Sequence, residues 1–222
     1  MEDNEILRAI DENADADMGA EERKHLLTQG FCSLDMNLED YSAEDVQHIL
    51  DEDWQIKTKN DLMNTLDFLL KQGDSGQIEN MLAFQKKNPS PSSQTIESFR
   101  AFSNSPYAFQ GKTIEQFHAT LEAIKNYETK LPKGGLRGWD VARYVHLIRL
   151  GFVAKMLKAG EGWLLLMKIK ESATKTFSSW KDFARSYQAG RLFWSGTQGT
   201  LDDACERLLS HPQSPWKVFE WL

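Results

Sequence analysis

The residues best equipped for chemistry crowd into one stretch. Between Gly138 and Trp194 stand Trp139, Asp140, Arg143, Arg149, Glu161, Trp163, Trp180, Arg185, Arg191 and Trp194, and four of the chain's seven tryptophans are among them. Tryptophan and arginine together mark either a core threaded by a buried polar network or a recognition surface. Asp140, Arg143, His146 and Arg149 recur every third residue, so on a helix they form one ridge. Most of the positions between them are apolar, which places that helix centrally in a bundle. Two readings follow. In one, Asp140 and Arg143 pair to fix the packing of neighbouring helices. In the other, Trp139, Asp140, Arg143 and Glu161 line a pocket for a substrate or small ligand.

Signatures of particular reactions are missing from the sequence. The five histidines are scattered, with neither HxxxH nor ExxH spacing, so no metal site is expected. Cys32 and Cys205 lack the spacing of a metal knuckle or a redox pair. There is no GxSxG, SxxK, P-loop or GxGxxG, and no second carboxylate stands beside Glu161 for acid–base work. No catalytic residue and no cofactor are assigned.

A second cluster is acidic. Asp40, Glu44, Asp45, Asp51, Glu52 and Asp53 lie close together, flanked by Tyr41 and Trp54. The charge along the chain is lopsided: residues 1–70 hold 19 acids and 5 bases, a net of −14, whereas residues 71–222 hold 14 acids and 21 bases, a net of +7. The acidic part repels phosphates, which disfavours DNA or a membrane surface as its partner. The basic C-terminal half has aromatics between its arginines, but tryptophans at helical spacing read first as core, and nucleic-acid binding is disfavoured there too. A basic protein partner fits the acidic cluster best, with Tyr41 and Trp54 as candidate anchors.

Positioning these residues requires helices. Ile6, Leu7 and Ile10 suggest one over 2–12, and Glu21–Gln29 a second. Ser42 with Asp45, and Thr58 with Asp61, have the spacing of helix-capping pairs. Leu62, Leu66, Leu69 and Leu70 give the helix after Thr58 its buried stripe, and Gly73 ends it. Helix resumes over Gly76–Phe84. Asn88-Pro89-Ser90-Pro91-Ser92-Ser93 breaks the pattern, and short helices follow near Gln94–Phe102 and from Thr113 to about Lys130. After Pro132-Lys133-Gly134-Gly135 come helices over Trp139–Leu157, Gly160–Phe177, Trp180–Trp194 and Leu201–Leu209. The aromatic tail Trp216–Leu222 is expected to dock on the body. The fold class is all-α: an acidic helical part over 1–88, a Pro/Ser linker over 89–93, and a Trp/Arg-rich helical core over 94–222, packed as one unit.

The motifs Gly138-Trp139-Asp140-x-x-Arg143, Leu147-x-Arg149-x-Gly151-Phe152, Glu161-x-Trp163, Phe177-Ser178-Ser179-Trp180 and Gly190-Arg191-x-x-Trp194 occur in order. In this the chain resembles the bacterial family catalogued as domain of unknown function 1266, over about residues 45–222. Trp54-Gln55-Ile56 and the leucine-rich helix after it resemble that family's upstream motif. The family carries glycine where Gln55 stands, a Gly-Tyr turn where Ala154-Lys155 stand, and alanine where Gly162 stands. The resemblance implies a bacterial, mainly helical protein and no established reaction.

The N-terminus is acidic rather than basic and apolar, and no apolar run approaches the roughly 20 residues of a spanning helix, so a cytoplasmic protein is expected. The leading expectation is a non-enzymatic protein-binding module: an immunity-type inhibitor that neutralises a basic bacterial toxin or effector domain through its acidic face. The alternatives are an enzyme or ligand binder using the Trp139/Asp140/Arg143/Glu161 pocket, and a regulatory or structural subunit of a bacterial assembly.

Overall fold

The computed structural model describes residues 42–88, 92–95, 98, 132–195, 200–212, 214–218 and 221. The helices expected over 2–12, 21–29 and 113–130 lie outside these residues, as does most of the Pro/Ser break. Among the described residues there are eight α-helices and no strand, which makes the fold all-α.

Helix α1 (Ala43–His48) starts where the sequence marks it. Ser42 Oγ accepts from the Asp45 N–H at 3.1 Å, and the Asp45 carboxylate accepts from the Ser42 N–H at 2.8 Å. Two of the helix's otherwise unmet N–H groups are thereby satisfied. The helix then widens into a π-helical turn, Ile49–Asp53, closed by the Ile56 N–H donating to the Leu50 carbonyl at 2.8 Å. Val46, Leu50 and Ile56 are buried completely and seat this segment on the core. Helix α2 (Lys59–Lys71) has the same kind of start, with Thr58 and Asp61 capping each other, and it turns Leu62, Leu66 and Leu69 inward. One residue, Gln72, separates it from α3 (Gly73–Lys87).

Helix α4 (Arg137–Val153) is the axis of the molecule. Twelve of its seventeen residues are buried, and α1, α2, α3, α5 (Ala159–Thr176) and α6 (Trp180–Ser195) all pack against it. It ends four residues earlier than Leu157, because Lys155 adopts a left-handed conformation (φ 59°). The Met156 and Leu157 N–H groups fold back onto the Gly151 carbonyl, so the last turn closes instead of continuing. The crossing of α4 with α6 is close. A Cβ on Gly138 would stand 2.6 Å from the Tyr187 backbone nitrogen, and one on Gly190 would stand 2.2 Å from the Trp139 Cβ. Ser186 fills the gap between the two backbones. Its hydroxyl accepts from the Gly138 N–H and donates to the Gly135 carbonyl, each at 2.8 Å.

Helices α7 (Thr200–Ser210) and α8 (Pro215–Val218) bring the tail back onto α6. Trp216 stacks on Trp180 with ring centroids 5.2 Å apart, and Trp221 meets Trp180 edge-on at 4.8 Å. The Trp221 indole N–H donates to the Phe177 carbonyl at 3.0 Å, capping the end of α5. Trp216 and Trp221 of the aromatic tail are therefore docked, and Phe177, Trp180 and Phe183 form the other half of their cluster.

Candidate functional site

Gln72 stands at the N-cap position of α3, and glutamine is a poor cap, so the exposed N–H groups of that helix need an acceptor from elsewhere. Asp140, from the first turn of α4, supplies it. Its carboxylate is fully buried and accepts from the Asp74 N–H at 2.9 Å, from the Ser75 N–H at 3.1 Å and from the Ser75 hydroxyl. Gly73 makes the approach possible. A Cβ there would lie 2.2 Å from an Asp140 oxygen, and the residue's φ of +57° is one that glycine adopts without strain.

The same turn of α4 serves the other side of the joint. The Arg137 guanidinium donates to the carbonyls of Leu69 and Leu70, the last turn of α2, and to the Ser172 hydroxyl at 3.3 Å. Burial lowers its pKa and Asp140 opposes that shift, but an arginine remains charged. Arg143 completes the group. One guanidinium nitrogen lies 2.7 Å from Asp140 and 2.7 Å from Asp74. Its guanidinium carbon lies over two rings, 5.3 Å from the centre of Trp139 and 5.8 Å from that of Trp54. Arg137, Asp140, Arg143 and Asp74 thus form a charge-balanced buried quartet that clasps the α2–α3 corner against α4. A buried charge is tolerated only when paired and hydrogen-bonded, and here the helix ends provide most of the bonds.

The other residues singled out from the sequence distribute as follows. Glu161 lies away from the quartet, at the start of α5, where it accepts from the Lys158 N–H at 2.9 Å and pairs with Lys59 at 2.5 Å. Lys59 and Leu70 are at opposite ends of α2, about 16 Å apart along its axis. The Lys59 hydrogen bond, followed by the Lys158 N–H, holds the Glu161 carboxyl below its usual range. Trp163 is core, Trp180 belongs to the aromatic cluster, and Arg191 is half-buried on α6. The side chain of Trp194, and Asp40 and Tyr41 entirely, lie outside the described residues. Arg137, Gly73, Asp74 and Ser75 are the members that sequence reasoning missed. The signal available was a helix start with no side-chain cap of its own.

In the acidic cluster, Asp45 is committed to capping α1, and the Ser42 hydroxyl bond holds its carboxyl low. Asp51 accepts from Gln47 at 3.2 Å. Glu44, Glu52 and Asp53 are exposed, on α1 and the π-helical turn, beside half-buried Trp54. Among the described residues no three His, Cys, Asp or Glu side chains converge to hold a metal ion. No described helix is long and apolar enough to cross a membrane.

Fold and clasp together define a class: a helical protein built around one buried axis helix, whose Trp-Asp-x-x-Arg turn ties together the ends of its neighbours. The chain belongs to the family described as protein of unknown function (DUF1266), matched over residues 49–221. It is similar to two Escherichia coli (strain K12) proteins described as uncharacterized, YbeU (24% identical over 150 residues) and YbeR (24% identical over 152 residues). Each match covers 67% of this chain and 58% of the relative, so the chain spans little more than half the length of these relatives. No solved structure matches it.

Proposed function

We propose that the chain is a non-enzymatic protein-binding module, an immunity-type inhibitor that neutralises a basic bacterial toxin or effector domain through the acidic face of α1 and its π-helical turn. The observation that carries this reading is the contrast between the two clusters. The Trp/Asp/Arg group is consumed within the fold, whereas Glu44, Glu52 and Asp53 project into solvent beside an aromatic residue on a rigidly seated turn. π-helical turns are rare and recur at functional positions. An acidic face of this kind speeds association with a basic cleft and rejects acidic competitors. The bacterial relatives fit the setting.

The test is capture of a partner from bacterial lysate at low and moderate salt, followed by kinetics with the isolated partner. A basic partner is expected whose toxicity falls when the chain is co-expressed. Replacing Glu44→Gln, Glu52→Gln and Asp53→Asn together should lower its association rate by about tenfold while leaving the melting temperature of the chain nearly unchanged. Unchanged association by that variant would remove the acidic face from the reading.

A further inference from the structure

We infer that Arg143 couples the acidic turn to the α2–α3 corner, pairing with carboxylates at the corner and lying as a cation over Trp54 at the turn. The nitrogen that bridges Asp140 and Asp74 belongs to the clasp. The carbon of the same guanidinium lies over the ring of Trp54, which directly follows the π-helical turn, and over that of Trp139. Val46, Leu50 and Ile56 fix how deeply the acidic segment sits, but methyl groups do little to fix the orientation of the turn's exit. A planar cation over an indole does so, because the attraction is to the ring face and falls away as the ring tilts. The side chain of Arg143 is only 11% exposed, so the contact is largely shielded from water.

Lysine can replace the charge but not the spread of a guanidinium that meets two carboxylates and two rings at once. Arg143→Lys should therefore keep the pairing with Asp140 and Asp74 while releasing Trp54. The functional consequence, one fixed presentation of Glu52 and Asp53, rests on the reading proposed above. The coupling itself does not, and its test needs no partner.

Hydrogen exchange of the full chain separates the two roles. The reporter for the turn is the Ile56 amide, bonded to the Leu50 carbonyl; the reporters for the corner are the Asp74 and Ser75 amides, bonded to Asp140. Arg143→Lys is expected to speed exchange at Ile56 by about tenfold and leave Asp74 and Ser75 within about twofold, with core amides of α4 unchanged. Trp54→Leu, which touches no ion pair, should reproduce the effect at Ile56 alone and keeps the test open if the lysine variant folds poorly. Unchanged protection at Ile56 in Trp54→Leu would overturn the coupling. So would a uniform loss at Ile56, the corner and α4 together. Failure to find a basic partner would leave these exchange results standing.

Discussion

At the scale of single residues, two positions carry backbone strain. Gln55 has a φ of 55° and Lys155 a φ of 59°, both in the left-handed region, where a Cβ crowds the following carbonyl. Both side chains are exposed, so neither gains packing in return. We expect Gln55→Gly and Lys155→Gly each to raise stability by about 1 kcal/mol, read as a higher urea midpoint at unchanged slope. A gain at only one site would mean that the other residue relaxes its backbone. The resemblance pointed to these positions as departures; only the backbone angles say that the departures are strained. By contrast, the pairing of Asp140 with Arg143 was legible from spacing alone. What spacing could not give was Asp74, from the start of α3, as the second carboxylate on Arg143.

At the scale of elements, the notable device is a helix cap supplied across the fold. Helices α1 and α2 carry their own caps in sequence, and their starts were readable to the residue. Helix α3 does not, and its start is set by Asp140 from another helix. Three roles meet in that carboxylate: cap for α3, partner for Arg143, and neighbour of Arg137 at 3.7 Å. Removing it leaves two buried guanidinium groups without their shared anion and two amides without an acceptor. Asp140→Ala should therefore cost about 3–5 kcal/mol, well above the roughly 1 kcal/mol of an ordinary exposed cap, and chemical denaturation decides between these values. A loss near 1 kcal/mol would mean that the corner is held by apolar packing and that the quartet is incidental to stability.

For the molecule as a whole, the charged groups at helix starts make stability depend on acid. Asp45, Asp61 and Asp182 have carboxyls held below the ordinary aspartate range, chiefly by the side chains of Ser42, Thr58 and Ser178 respectively. A carboxyl whose folded pKa is depressed contributes stability above its unfolded value, and that stability is lost as pH falls through the folded one. The melting temperature should therefore fall as pH drops below about 4. In Asp61→Asn it should start lower at neutral pH and fall less steeply over the acid range. An acid limb of unchanged slope in Asp61→Asn would assign the acid sensitivity to other capping carboxyls, Asp45 and Asp182 among them.

The sequence determined the all-α class, the self-capped helices, the break at Pro132-Lys133-Gly134-Gly135, and the central place of the Trp139–Val153 segment. Each of these depends on neighbours within about one helical turn, where residue type and periodicity act directly. The tertiary structure decided the rest. It put Glu161 at the far end of α2 from Asp140, turned the helix after Ser42 into a π-helical exit, and joined Trp54, Asp74 and Arg143 from three separate elements. Those outcomes depend on which helix ends meet at α4, and thus on the close crossings allowed by Gly73, Gly138 and Gly190. A glycine announces in sequence that something approaches closely; only the packed chain shows that at Gly73 the approaching atom is a carboxylate oxygen.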